Sequence, residues 1–470
     1  MTSRTLTPLN LGLIAFGAVV LGHALQIRDG FYDAVALRWA LLAAACVLAG
    51  AARLGGVARM RASEPVLAGV LLAGLLSNLL ALATMPVGMY LVHPEPARHP
   101  EFLAGIAIAA VLIVLMASDR ERARSLWFPA LLAMYAELGV WLIRVSPRPH
   151  IDVMTVFHEA LAALGALKSP YSITFPNIYE NADLYGAGLV VNGQVQFGFP
   201  YPPLSLLMAA PAYLLGGDVR YAELAALVAG AACIGYCGRG RIGPLAAAAL
   251  LFTPRTFFVL EQAWTESLVI CWAGLTVFAA TRVPVMRRTA GRAGALRGVA
   301  LGLLVAVKQH LAIALMLTAW LRRPEEDRRT AMTIFLVACA TAAAVTLPFA
   351  FWDPGGVWRS VVILQLREPF RADSLSVLSY FASHGWQPTQ GILLAAPLCA
   401  LAAGLGLSWW RLPRTPAGFA LGLGTTFLLL FLVSKKAFCN YYFLVIALLM
   451  AGVAAGSVEL ADTDAGDQTG

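Results

Sequence analysis

Apolar runs long enough to cross a lipid bilayer recur along this chain, and they dictate what it can become. A bilayer core asks for roughly 20 consecutive apolar residues. Residues 9–27, 35–52, 66–87, 102–118 and 126–144 meet that need within the first third of the sequence. Further runs follow at 221–237, 243–260, 267–281, 298–321, 331–349, 391–410, 417–434 and 440–457. Only 13% of the residues are charged, and mean hydropathy is +0.74. With no water to satisfy backbone groups in lipid, such runs must be helices. The expectation is an all-α polytopic membrane protein of about 13–14 transmembrane helices with helices lying on its surface. The first run, Leu9 to Ile27, resembles a signal peptide, but no small-residue cleavage site follows, so it reads as retained.

The charge of +8 lies in short basic clusters between spans. That is a topology signal rather than a nucleic-acid footprint, and no nucleic-acid partner is expected. The connections Arg53–Arg61, Arg120–Arg124, Arg282–Arg297 and 411–416 are basic and read as cytoplasmic. This gives an inside N-terminus and places residues 145–202, 261–266, 351–390 and 434–440 outside. Leu204 to Gly216 is too short to cross and reads as lying on or dipping into the membrane, which keeps CGRGR (237–241) inside. The run Gly298 to Leu321 has arginines at both ends, so a hairpin with its apex at Lys308-Gln309-His310 keeps both loops on one side; the alternative is a single helix of normal length with a snorkelling lysine. Broken helices are tolerated in a membrane where they line a cavity or are buried in protein. The acidic tail 458–470 reads as disordered. The seven cysteines have no metal or disulfide spacing and read as small buried hydrophobes.

The long polar stretch from Val145 to Pro202 interrupts this pattern. Pro147 and Pro149 end the preceding span. Asp152 follows, and Val153 to Leu167 has the spacing of an amphipathic helix lying along the membrane surface. The outside face then holds a carboxylate base among cations. A carboxylate takes the proton of an attacking hydroxyl, and cations hold the charge that builds on a departing phosphate. Asp152 is the candidate base, with capping of the following helix as its plainer role. Lys308, Gln309, Arg371, Lys435 and Lys436 are candidates for the phosphate. Two adjacent lysines on an outer face run against the positive-inside trend and ask for a local reason. His158, Glu159, Tyr171, Tyr201, Arg367, His310 and His384 are additional candidates. For Arg371 the alternative is a surface pair with Asp373. No metal ligand spacing is present.

The order of these features resembles a known family. A span leads to an outside loop opening with Asp152, then a surface helix, the turn Ser169-Pro170-Tyr171 and the entry Tyr201 to Leu204. GLLVAVKQ in the charge-flanked hairpin and KKAFCNYYFL near the end complete the order. Together they resemble the C-type integral-membrane glycosyltransferases, closest to the polyprenyl-phosphate-mannose-dependent, alpha-mannosyltransferase-like branch. The resemblance covers residues 126–457. Residues 1–125 are extra to it and read as a four-helix bundle set beside that core. It implies inverting transfer of mannose, or another hexose or pentose, from a polyprenyl-phosphate donor to a hydroxyl of a cell-envelope acceptor. The acceptor would be a glycolipid, polysaccharide or protein. Asp152 would be the base, the lipid-linked sugar a co-substrate, and no cofactor or metal would be needed. The implied location is the bacterial cytoplasmic membrane, with membrane lipids as neighbours and the active site on the extracytoplasmic face. Two other readings stay open. An envelope oligosaccharide ligase or polymerase also has many spans and one large loop. A lipid or sugar transporter would show internal repeats and mid-bilayer charges.

Overall fold

The computed structural model describes residues 6–52, 64–282, 290–323 and 325–467. The basic connection Arg53–Arg61, residues 283–289 of the Arg282–Arg297 loop and residues 468–470 of the tail lie outside them.

The chain starts with four long helices, α1 (Pro8–Ile27), α2 (Ala34–Ala52), α3 (Glu64–Thr84) and α4 (Pro100–Ser118). Their starts are written locally. Thr7 and Asn10 exchange backbone and side-chain hydrogen bonds in a capping box at α1, and Pro8 takes the first turn, where no N–H is needed. A π-turn at Ala123–Trp127 leads into α5 (Phe128–Val145), which stops at the SPRP sequence. The surface helix is α6 (Asp152–Gly165). It buries Val153, Val156, Phe157, Ala160 and Leu161, one face of a 3.6-residue period. That face rests on a second apolar cluster with Phe175, Val195, Phe197, Phe199 and Leu206. Three two-residue strands, β1 (Phe175–Pro176), β2 (Val190–Val191) and β3 (Gln194–Val195), form an antiparallel sheet in the order β1-β3-β2. An all-α reading leaves no place for this small sheet, because two-residue strands carry no legible alternation.

After the loop come α7 (Pro203–Gly216), α8 (Arg220–Cys237), α9 (Ile242–Leu251), α10 (Thr256–Glu261), α11 (Glu266–Arg282) and α12 (Ala290–Val307). A 3-10 helix covers Gln309–Leu321, followed by α13 (Arg328–Trp352), α14 (Pro354–Val357), a π-turn at Trp358–Ile363 and α15 (Leu364–Arg367). The chain closes with α16 (Val377–Ser383), α17 (Gln390–Arg411), α18 (Pro416–Leu432) and α19 (Cys439–Asp467).

Among the described residues, eight helical segments are long and apolar enough to cross a membrane: α1 to α4, Ala123–Val145, α13, α17 and Cys439–Leu460 of α19. The chain is therefore a multi-pass helical membrane protein. The count falls short of 13–14 because several apolar runs are short or interrupted. The run 243–260 is two helices, split at Phe252–Arg255 around Pro254. The tail from residue 458 begins as helix, since α19 runs to Asp467.

The 298–321 run breaks at Lys308, whose backbone is extended (φ −149°, ψ 135°). Its two ends return to one another: Arg297 donates to the Leu321 carbonyl at 3.3 Å and pairs with Glu326 at 2.6 Å. The return arm is a 3-10 helix of thirteen residues. Since side chains three apart eclipse in such a helix, Leu311, Ala314, Leu317 and Trp320 make one buried edge.

Helix α7 does not cross either. It starts beside Tyr201, and the helix after it begins with Arg220, whose guanidinium donates to the Ser146 carbonyl at the end of α5 (2.7 Å). Both ends of α7 therefore sit at one end of the bundle. At the opposite end Arg124 and Arg282 converge on the carbonyls of Tyr236 to Gly238, and Arg241 pairs with Glu64. CGRGR thus lies with the basic connection Arg120–Arg124. Helices α8 and α11 cross at Gly230 and Gly274, where an added Cβ would meet backbone oxygen at 2.7 and 2.6 Å. Close approach through small residues is how helices associate where lipid gives them no hydrophobic drive.

Residues 1–125 do not stand apart as a separate bundle. Helix α1 packs against α2 and α19, α3 against α9, and α2 against α18, all in one continuous core. A bridge between Phe31 and Ser374 ties the α1–α2 connection to the loop after α15.

Candidate active site

Segments from across the sequence meet at one end of the bundle around a cavity of about 340 Å³. Its wall includes Asp152, Tyr201, Lys308, Gln309, His310, Arg371 and Lys436, seven of the thirteen residues singled out from the sequence. Phe31, Met89 and Tyr90, from the connections between the N-terminal helices, also line it, so that region builds the site as well as the bundle.

Asp152 opens α6 just past the proline stop and faces the cavity. Two tyrosines hold its carboxylate: Tyr179 donates to Oδ1 at 3.3 Å and Tyr185 to Oδ2 at 3.2 Å. The Asp152 N–H donates back to the Tyr179 hydroxyl at 3.1 Å. Burial pushes the carboxyl above the ordinary aspartate range, and the nearby Lys436 charge and the tyrosine hydroxyls only partly offset that rise. A base with a raised pKa is a stronger proton acceptor. Burial works against the Lys436 ammonium in turn. The Glu368 carboxylate, 2.8 Å away, outweighs it, and the group is held protonated well above its usual range.

Lys308 at the hairpin apex forms a buried ion pair with Glu266, which also accepts from Asn440 Nδ2 at 3.0 Å. The same ammonium lies over the Tyr201 ring at 5.6 Å and the Tyr441 ring at 5.3 Å. Gln309 donates to the carbonyls of Pro200 (3.1 Å) and Val361 (3.3 Å), which pins the apex to the polar loop and to the segment after α14. His310 sits among the rings of Phe427, Phe431 and Tyr441. Arg371 makes a bidentate pair with Asp373 at 2.8 and 2.6 Å and lies over the Phe438 ring at 4.9 Å. The surface pairing weighed for Arg371 is therefore present, on a residue that also lines the cavity.

The other six candidates do not reach the cavity wall. Lys435 spends its ammonium on the carbonyls of Gln365, Leu366 and Glu368 (2.9, 3.3 and 2.7 Å), closing the end of α15 as basic residues commonly do. Tyr171 is buried and donates to the Tyr201 carbonyl at 2.9 Å, so it places Tyr201 and does not itself meet a ligand. His158 packs edge-on against Tyr213. Glu159 and Arg367 are exposed. His384 is exposed and bonds to the Tyr380 carbonyl at 2.8 Å. Glu261, at the turn before Glu266, accepts from the N–H groups of Met89 (2.6 Å) and Tyr90 (3.0 Å) and from Ser146 (2.8 Å), a role in shaping the wall.

Sequence reasoning missed Tyr90, Tyr179, Tyr185, Glu368 and Asn440. The two tyrosines inside the polar loop, in NIYENADLYG, carried a faint signal, since aromatic residues in a polar loop ask for a packing or binding partner. Glu368 carried none beyond its place between Arg367 and Arg371. No group of three or more His, Cys, Asp or Glu side chains that would hold a metal occurs among the described residues. The chain matches no known protein family, no curated protein and no solved structure.

Proposed function

We propose that the chain is an inverting glycosyltransferase using a polyprenyl-phosphate sugar as donor and a hydroxyl of a cell-envelope molecule as acceptor. The observation that carries this reading is one cavity, at one end of a membrane bundle, holding a half-buried carboxylate of raised pKa together with Lys308, Arg371 and Lys436. Aromatic faces of Tyr179, Tyr185, Tyr201 and Tyr441 line the same space, surfaces on which a sugar ring's C–H face packs.

The step balances without a co-reactant. The acceptor oxygen attacks the anomeric carbon from the face opposite the phosphate, and its proton passes to Asp152. The bond between the anomeric carbon and the phosphate oxygen breaks, and its electron pair leaves with the lipid phosphate. Lys436 and Arg371 stabilise the charge on the departing phosphate. Lys308, held by Glu266, braces the apex and the aromatic wall. The acceptor would be a glycolipid, polysaccharide or protein, and the sugar mannose or another hexose or pentose. On this reading the site faces the extracytoplasmic side of a bacterial cytoplasmic membrane.

The test is sugar transfer by purified protein in lipid, with a panel of polyprenyl-phosphate monosaccharides and mixed envelope lipids as acceptors. Wild type should consume one donor. Asp152→Asn should lose about 10²- to 10⁴-fold in rate, the share of a general base, while still binding donor. Equal donor consumption by both proteins would remove Asp152 as the base. No consumption by a folded wild type would end the glycosyltransferase reading and favour the ligase or transporter readings.

A further inference from the structure

Each of the three cations in the cavity wall is already matched by a carboxylate: Lys308 by Glu266, Arg371 by Asp373 and Lys436 by Glu368. An anionic ligand that takes the side of a cation now held by an acid competes with that acid.

The three acids differ in what it costs to move them. Glu266 is fully buried and is also held by Asn440, so freeing Lys308 would strand a charge away from water. The Glu368 side chain is 17% exposed and lies against Lys436, whose charge offsets that of Asp152. The Asp373 side chain is 49% exposed, and turning it away returns its carboxylate to solvent. Its backbone does not need to follow, because the Asp373 carbonyl accepts from the Tyr32 N–H at 2.8 Å. Arg371 is likewise fixed in place. Its N–H donates to the Lys435 carbonyl at 2.9 Å and its carbonyl accepts from Ser374 at 3.1 Å. The guanidinium presents a fork that fits a carboxylate and a phosphate equally well.

We infer that Asp373 is a placeholder, occupying the Arg371 fork until a phosphate group takes its place. The inference rests on the reading of this cavity as a phosphate-releasing site, and it assigns the residue that competes for the phosphate position. Asp373 keeps Arg371 oriented in the empty site and lowers the affinity for the anion, which helps the product phosphate leave. Arg371 also feels the Asp152 charge, so a phosphate seated there lies within electrostatic reach of the base.

The test measures binding of inorganic pyrophosphate, and of polyprenyl phosphate in lipid nanodiscs, to wild type, Asp373→Asn, Arg371→Gln and the double variant. Thermal unfolding checks that each is folded. Asparagine keeps the shape and removes the charge. The expected result is tighter binding to Asp373→Asn, by up to about fivefold, the range of a partly exposed ion pair. The gain should vanish in the double variant. Tightening for both probes would identify the phosphate group itself as what is recognised. Tightening for the lipid alone would identify the membrane-anchored headgroup. Unchanged or weaker binding by a folded Asp373→Asn would overturn the inference and leave the proposed function standing. Failure of wild type to bind either probe would take down both.

Discussion

Replacing Lys308 by methionine separates a structural lysine from a ligand-binding one. Lys308 is 6% exposed and its partner Glu266 is fully buried. Removing one member of a buried pair typically costs about 3–5 kcal/mol, because the other is left charged and uncompensated. Here the remaining bond from Asn440 softens the loss but cannot replace a positive charge. The destabilisation by Lys308→Met should therefore be about 3–5 kcal/mol. Lys308→Met combined with Glu266→Gln should recover most of that loss, since no unpaired charge remains. The assay is denaturant unfolding in mixed micelles, with all four members of the double-mutant cycle. Equal stability of the single and double variants would refute the argument that the pair is what holds the hairpin apex.

The cavity base gives a pH signature of its own. Because burial raises the Asp152 pKa in the folded state, the native protein binds the proton more tightly than the unfolded chain does. Its contribution to stability therefore falls as pH rises through the unfolded value near 4 and up to the raised folded value. Asp152→Asn should be more stable than wild type at pH 7 and no more stable at pH 3, as thermal unfolding would show, while transfer by wild type rises with pH through the folded value. Lys435→Met removes the donor shared by three carbonyls and should cost about 1–2 kcal/mol, without the loss of donor binding expected for Lys436→Met. Gly230→Leu should collapse the α8–α11 crossing, read as loss of monodisperse protein in detergent, because the Ile270 carbonyl lies 2.7 Å from the new Cβ.

The long spans were legible because a bilayer imposes a length that few soluble helices combine with such apolarity, and α1 to α5 fall within a few residues of the runs read from hydropathy. The hairpin at Lys308 was legible for a different reason: arginines at both ends of one apolar run left no single crossing that obeyed the charge rule. The break at Pro254 was present in the letters but was masked by averaging, since apolar residues on both sides keep the run hydrophobic through a helix end. The proline-stopped helix before Asp152 marked the carboxylate, because it opens the long polar loop just past two prolines.

What no reading of the sequence supplies is the pairing. Lys435 and Lys436 are adjacent, have the same chemistry and were given the same role, yet one caps α15 and the other faces the cavity. Side chains that are neighbours in a non-helical segment leave in different directions, and only the path of residues 364–376 decides which one meets Glu368. The same holds for Arg371, where the candidate phosphate ligand and the plain surface ion pair proved to be one guanidinium. Sequence places charges on a face of the bundle, while the folded chain sets which charge spends itself on which. That division explains why the candidates tied to a forced backbone feature reached the cavity: Asp152 after the prolines, and Lys308, Gln309 and His310 at the hairpin apex. Four of those chosen for residue type alone, His158, Glu159, Arg367 and His384, did not. A charged residue in a membrane-protein loop is therefore worth most as a functional clue where the chain has no freedom to point it elsewhere.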